Sequence, residues 1–161
     1  MTQTVDPLDA LIEANAHARA ALLTAVDSLP ATRRTERWYG EWSLRDIVAH
    51  LAVWQDGWAA ALEALIRGER PLVPLFEEGD DGSAFNTARA AEHADDSWEQ
   101  VMDLLRRARQ RHEAAVRALA GTVEPERYAE GRTAHRMAAM PGTHDRTHIE
   151  PILEWRREQQ L

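Results

Sequence analysis

The sequence predicts an all-α protein, a single four-helix bundle spanning residues 1–161. Three observations predict it. Four long stretches repeat apolar residues at helical spacing, no segment shows the alternation of a half-buried strand, and proline and glycine clusters fall between the stretches. Four amphipathic helices with no sheet bury their stripes against one another, and functional sites in such bundles form from inward-facing side chains of opposed helices.

The first segment runs from about Asp6 to Leu29, with Asp6 as N-cap, Pro7 in the first helical position and Pro30 as the stop. Its stripe is Leu8, Leu11, Ile12, Asn15, Leu22, Val26 and Leu29. The second opens at Ser43-Leu44-Arg45-Asp46, a pattern close to the capping box, and ends near Gly68. Ile47, His50, Leu51, Trp54, Trp58, Leu62 and Leu65 line one side of it. Two prolines, two glycines and an acidic cluster from Glu77 to Asp81 mark Glu69 to Ala84 as a long loop. The third helix carries Trp98, Val101, Met102, Leu105, His112, Val116 and Leu119, stops at Gly121, and has room for a short helix before it near Asn86. Met140-Pro141-Gly142 punctuates the approach to a last helix of roughly Thr143 to Gln159, striped by His144, His148, Ile152 and Trp155. Pro151 inside it removes the bond to Thr147 and predicts a kink after His148.

Composition narrows the function. With 19 basic against 27 acidic residues the chain carries −8, so counterion-release binding to nucleic acid or to an anionic leaflet has little to work with. Neither nucleic acid nor membrane is an expected partner; a small-molecule substrate is. There is no cysteine, which excludes disulfides, thiolate metal sites and a protein-borne thiol nucleophile, and every basic residue is arginine, which excludes Schiff-base chemistry on lysine. The N-terminus has no secretory pattern, and the most apolar stretch, Ala49 to Ile66, is interrupted by Gln55, Asp56 and Glu63. A cytoplasmic location is expected.

The chemistry-bearing pattern is histidine. His144 and His148 stand at i, i+4, so both rings leave one helix face and can converge on a single ion. That face continues into Ile152 and Trp155, so it is the buried one, and His50 lies on the buried stripe of the second helix. Three unpaired imidazoles in an apolar interior cost a few kcal/mol each unless something satisfies them. A divalent metal satisfies all three and keeps a coordination position open, as catalytic sites do. The spacing is not that of a zincin, because Asp145 stands where the glutamate of His-Glu-x-x-His belongs. A single striped histidine also reads as a core residue bonded to a carbonyl.

Other candidates are placed around this triad. His112, on the third stripe, is either a fourth ligand or a partner that orients a ligand, or a satisfied core or pocket histidine. Asp46, one turn before His50, either orients that imidazole or caps its helix. Asn15 and Trp54 are pocket candidates, Trp54 equally a core residue. His17, His93 and His135 fall off the stripes or near segment ends and are expected in solvent. Asp145 and Glu150 point about 100° and 200° around the helix from His144 and His148, so neither is a ligand and no strong general base is visible.

Trp42-Ser43-Leu44-Arg45-Asp46-Ile47-Val48-Ala49-His50-Leu51-Ala52-Val53-Trp54 resembles the second-helix motif of the DinB-like superfamily, and the run from His144 to Trp155 resembles its closing His-x-x-x-His helix; Phe85-Asn86 is also similar. The resemblance implies an up-down-down-up bundle, often a homodimer, with zinc or nickel held by His50, His144 and His148. It further implies metal activation of a low-molecular-weight thiol such as mycothiol or bacillithiol, or of water, for transfer to or hydrolysis of a small electrophile. Other branches, the colibactin self-resistance proteins among them, use the bundle without the triad. The alternative reading is therefore a non-catalytic protein that sequesters a small hydrophobic molecule.

Overall fold

The computed structural model describes residues 7–71 and 82–161. The expected N-cap Asp6 and most of the acidic loop, residues 72–81, lie outside the described residues. Helices α1 (Pro7–Val26), α3 (Leu44–Ile66), α5 (Trp98–Thr122) and α6 (Thr133–Glu158) carry the core. Short helices α2 (Ala31–Arg34) and α4 (Ser83–Glu92) and a 3-10 turn at Pro125–Arg127 fill the connections. The fold is mostly helical, as expected.

Two helix starts are fixed by reciprocal side-chain caps. Ser43 Oγ accepts from the Asp46 backbone N–H while Asp46 Oδ2 accepts from the Ser43 N–H at 2.8 Å, and Ser97 and Gln100 repeat the arrangement at α5. Each pair satisfies two end N–H groups, worth about 1 kcal/mol. Asp46 is thus a capping residue.

The expectation of no strand is corrected by a small hairpin, β1 (Arg37–Tyr39) paired antiparallel with β2 (Trp42–Ser43). Gly40, at φ +60°, takes the left-handed conformation the tight turn requires. The hairpin is held on by Trp38, stacked on Trp155 with ring centroids 4.7 Å apart.

The last helix is also corrected: it starts at Thr133, ten residues before the expected Thr143, and passes through Pro141 and Gly142. Proline there deprives the Met137 carbonyl of its partner and pushes the turn open. Two distant side chains repair the damage. His112 on α5 donates from Nε2 to Met137 O at 3.0 Å, and the Asn15 carboxamide on α1 donates to Ala138 O at 2.8 Å while accepting from the Gly142 N–H at 2.9 Å. Asn15 is inserted into a rung that Gly142 and Ala138 would otherwise close. A side chain at Gly142 has no room, since a Cβ there would lie 2.5 Å from Asn15 Oδ1 and 3.1 Å from Asn15 Cα. At Pro151 the freed carbonyl belongs to exposed Thr147, and the helix continues to Glu158.

The apolar core forms two clusters. One joins Leu22, Val26, Ile47, Leu51, Leu105 and Ile152; the other joins Leu8, Leu62, Val116, Leu119 and Ala138. Between them along all four long helices lie the buried polar residues Asn15, Arg19, Gln55, His112 and Asp145. No helix among the described residues is long and apolar enough to cross a membrane.

Candidate metal centre

His50 projects from α3 between Ile47 and Leu51, two of the most buried side chains of the core, and α6 presents His144 and His148 one turn apart toward it. The three rings form a triangle with centroids 4.7 Å (His50–His144), 5.1 Å (His144–His148) and 5.4 Å (His50–His148) apart. Each offers one nitrogen, and the three nitrogens lie within 4.8 Å of one another. His50 Nε2 and His144 Nε2 face each other at 2.9 Å. Two imidazoles on one tetrahedral ion, with metal–nitrogen bonds of about 2.1 Å, place their ligand atoms roughly 3.4 Å apart, so a small movement admits an ion.

The electrostatics point the same way. Burial pushes His50 down to about 3, with the charge of His148 adding to it, and pushes His144 down to about 2, with His50, His148 and Arg19 adding to it. His148 is lowered by burial against the pull of the Asp145 carboxylate. All three are therefore neutral at pH 7, the form that binds metal. The Nδ1 atoms of all three are buried without a hydrogen-bond partner. The fit to a divalent cation rests on the other edge of the rings, where neutral Nε2 atoms of His50 and His144 face each other and a nitrogen of His148 lies within 4.8 Å of both.

The triad opens into a cavity of about 670 Å³. Trp54 and Trp58 stand edge-on to His144, Trp42 tilts over His50 at 4.9 Å, and Tyr39 meets His148 edge-on. Trp54 thus does line the cavity, and its indole N–H donates to Asn86 Oδ1 on α4 at 2.9 Å. Met137 and Met140, from the repaired stretch of α6, complete the apolar wall.

Asn15 is corrected as a pocket candidate, and of the readings open for His112 the structure has the satisfied core histidine: neither lines this cavity, because both are committed to the α6 backbone. Burial holds His112 down to about 4, so it is neutral and donates through one nitrogen. His17 is exposed, as expected, while His93 is partly covered and sits 2.7 Å from Asp96 Oδ2.

Sequence reasoning missed a buried ionic group behind the triad. Asp145 accepts from Arg19 Nε at 2.8 Å, Arg19 Nη2 at 3.0 Å and Arg109 Nη2 at 2.9 Å, and Arg19 Nη2 also donates to Gln55 Oε1 at 2.8 Å. Burial and the neighbouring Arg19 charge pull Arg109 down to about 10. One carboxylate thus gathers groups from α1, α3 and α5 onto α6.

Fold and triad define an all-α protein with a three-histidine centre on two facing helices. The chain belongs to the DinB superfamily, whose sequence profile matches residues 14–152. A crystal structure of an uncharacterised protein from Escherichia coli UTI89 shares the fold: at 13% identity the TM-score is 0.76, over 98% of this chain and 96% of that one. No curated protein matches the sequence.

Proposed function

We propose that the protein is a metal-dependent enzyme in which His50, His144 and His148 hold one divalent ion, zinc or nickel. The observation that carries this is the convergence of three neutral imidazoles, His50 and His148 buried and His144 partly so, with one nitrogen of each within 4.8 Å of the others at the floor of an open cavity. A divalent ion on three neutral ligands lowers the pKa of a thiol or water in its remaining position, supplying a nucleophile at neutral pH. With no cysteine in the chain, a thiol nucleophile comes from a small molecule, mycothiol or bacillithiol in the family's manner. The protein supplies the ligand set, a wall that orients the electrophile, and exclusion of water. The residues that gather in the two apolar clusters support an up-down-down-up bundle, α1 and α6 running together and α3 and α5 running opposite to them.

A second reading, sequestration without turnover, draws on one observation: among the described lining residues, the ionisable side chain other than the triad and Tyr39 is Glu41, which is exposed and paired with Arg37 at 3.2 Å. Elemental analysis of tag-free protein separates the readings in part. About one metal ion per chain is expected, lost in His148→Ala; a folded, metal-free native protein refutes the enzyme proposal. Metal-loaded protein that consumes a generic electrophile only when a thiol is added is a transferase, and one that needs no thiol is a hydrolase.

A further inference from the structure

The cavity above the triad has mainly aromatic and apolar walls. Trp42, Trp54, Trp58 and Tyr39 supply four aromatic surfaces, and the Trp54–Asn86 bond fixes the indole plane so that it is presented the same way to every ligand. Planar rings pack best on such walls, in offset or edge-to-face contact, and the volume suits a small organic molecule. The polar lining contributed by α4, including Asn86, is uncharged.

Apart from the three histidines, no basic side chain lines the cavity among the described residues. The undescribed segments do not alter this, because residues 1–6 and 72–81 contain no arginine, lysine or histidine. The carboxylate of Glu41, which does line the cavity, is already paired with exposed Arg37 at 3.2 Å and adds negative charge to the wall, while Arg19 is held by Asp145 behind the triad. A carboxylate or phosphate lying against these walls finds no countercharge, and the buried charge goes uncompensated. Among the described lining residues, the triad with its ion is the one cationic anchoring point for a negative donor.

We infer that the cavity selects a molecule with an apolar, aryl-sized body that brings a single metal-binding donor and carries no further negative charge. This rests on the metal reading above and narrows it, since of the two thiols named there bacillithiol carries malate carboxylates and is disfavoured. Phosphorylated compounds, nucleotides and thiols bearing carboxylates are disfavoured, and uncharged thiols and aryl electrophiles are favoured.

Three hydroxamates test this, with the zinc-loaded full-length chain titrated by calorimetry and its metal content measured in the same sample. Benzohydroxamate should bind at least about tenfold tighter than acetohydroxamate, the same donor without the ring. 4-Carboxybenzohydroxamate should lose most of that gain, by about tenfold. Trp54→Leu, or Trp58→Leu if the first does not fold, should bring the ring preference to within about threefold. Equal binding of the benzo and aceto compounds, tighter binding of the carboxylated one, a ring preference unchanged in both variants, or no binding to a zinc-loaded chain each overturns the inference. A chain that holds no zinc refutes the metal reading instead, so the two failures are distinguishable.

Discussion

Replacing Asn15 by leucine, which keeps the shape and removes only the amide, tests the repair of α6. Asn15 is 4% exposed and makes two hydrogen bonds, to Ala138 O at 2.8 Å and from Gly142 N at 2.9 Å. Each net bond contributes about 1 kcal/mol, and each group left buried and unpaired costs about 1–3 kcal/mol. The two orphans cannot simply bond each other while the Pro141 ring holds the turn open. A loss of about 3 kcal/mol is expected, which for a chain of this size lowers the melting temperature by roughly 6–12 °C. Thermal unfolding followed by circular dichroism reads it. Metal affinity should fall as well, since Gly142 is two residues before His144. Gly142→Ala is the companion variant: alanine in mid-helix ordinarily gains about 1 kcal/mol over glycine, yet here its Cβ meets Asn15 at 2.5 Å and the sign should reverse. A melting point unchanged within 2 °C in Asn15→Leu, or raised in Gly142→Ala, would refute the repair.

Two further outcomes are expected. Metal-free protein should lose stability on acidification: His112 has an ordinary value of 6.5 unfolded and about 4 folded, so between these the unfolded chain binds a proton the native state refuses, and stability falls as pH drops through that window. That difference is worth about 3 kcal/mol, with His50 and His144 adding in the same direction, and urea midpoints measured from pH 7 to pH 4 should fall less steeply in His112→Gln. Asp145→Ala leaves Arg19 and Arg109 buried without their carboxylate and should cost about 3–5 kcal/mol in denaturant unfolding, whereas a surface change such as Glu150→Ala should stay within about 0.5 kcal/mol.

What the sequence discloses of this site follows from how local each signal is. His144 and His148 declare a shared face by spacing alone, and His50 declares its burial through Ile47 and Leu51, so the triad is readable before any coordinates. The start of α6 is not. Pro141-Gly142 is a strong local stop, and what overrides it comes from Asn15 and His112, residues 127 and 25 positions distant from their backbone partners. Asp145 is obscured for a related reason: a turn of about 100° from His144 looks like a turn toward solvent when one stripe is assumed to be the whole interior. A helix touching several neighbours buries a wider arc, and Asp145 faces Arg19 and Arg109. The hairpin at Arg37–Ser43 is too short to show alternation; its one local sign is Gly40.

The polar girdle across the middle of the molecule has a consequence for which arrangement the chain can adopt. Helices packed only through leucine and alanine can slide past each other by a turn, about 5.4 Å, and meet nearly equivalent partners. Here a slide of that size would strand two guanidinium groups, a carboxylate and an inserted amide in hydrocarbon, so misaligned pairings are penalised more heavily than the correct one is rewarded. Such an alignment key leaves the apolar halves on either side free to exchange one aliphatic residue for another while the histidines stay in step.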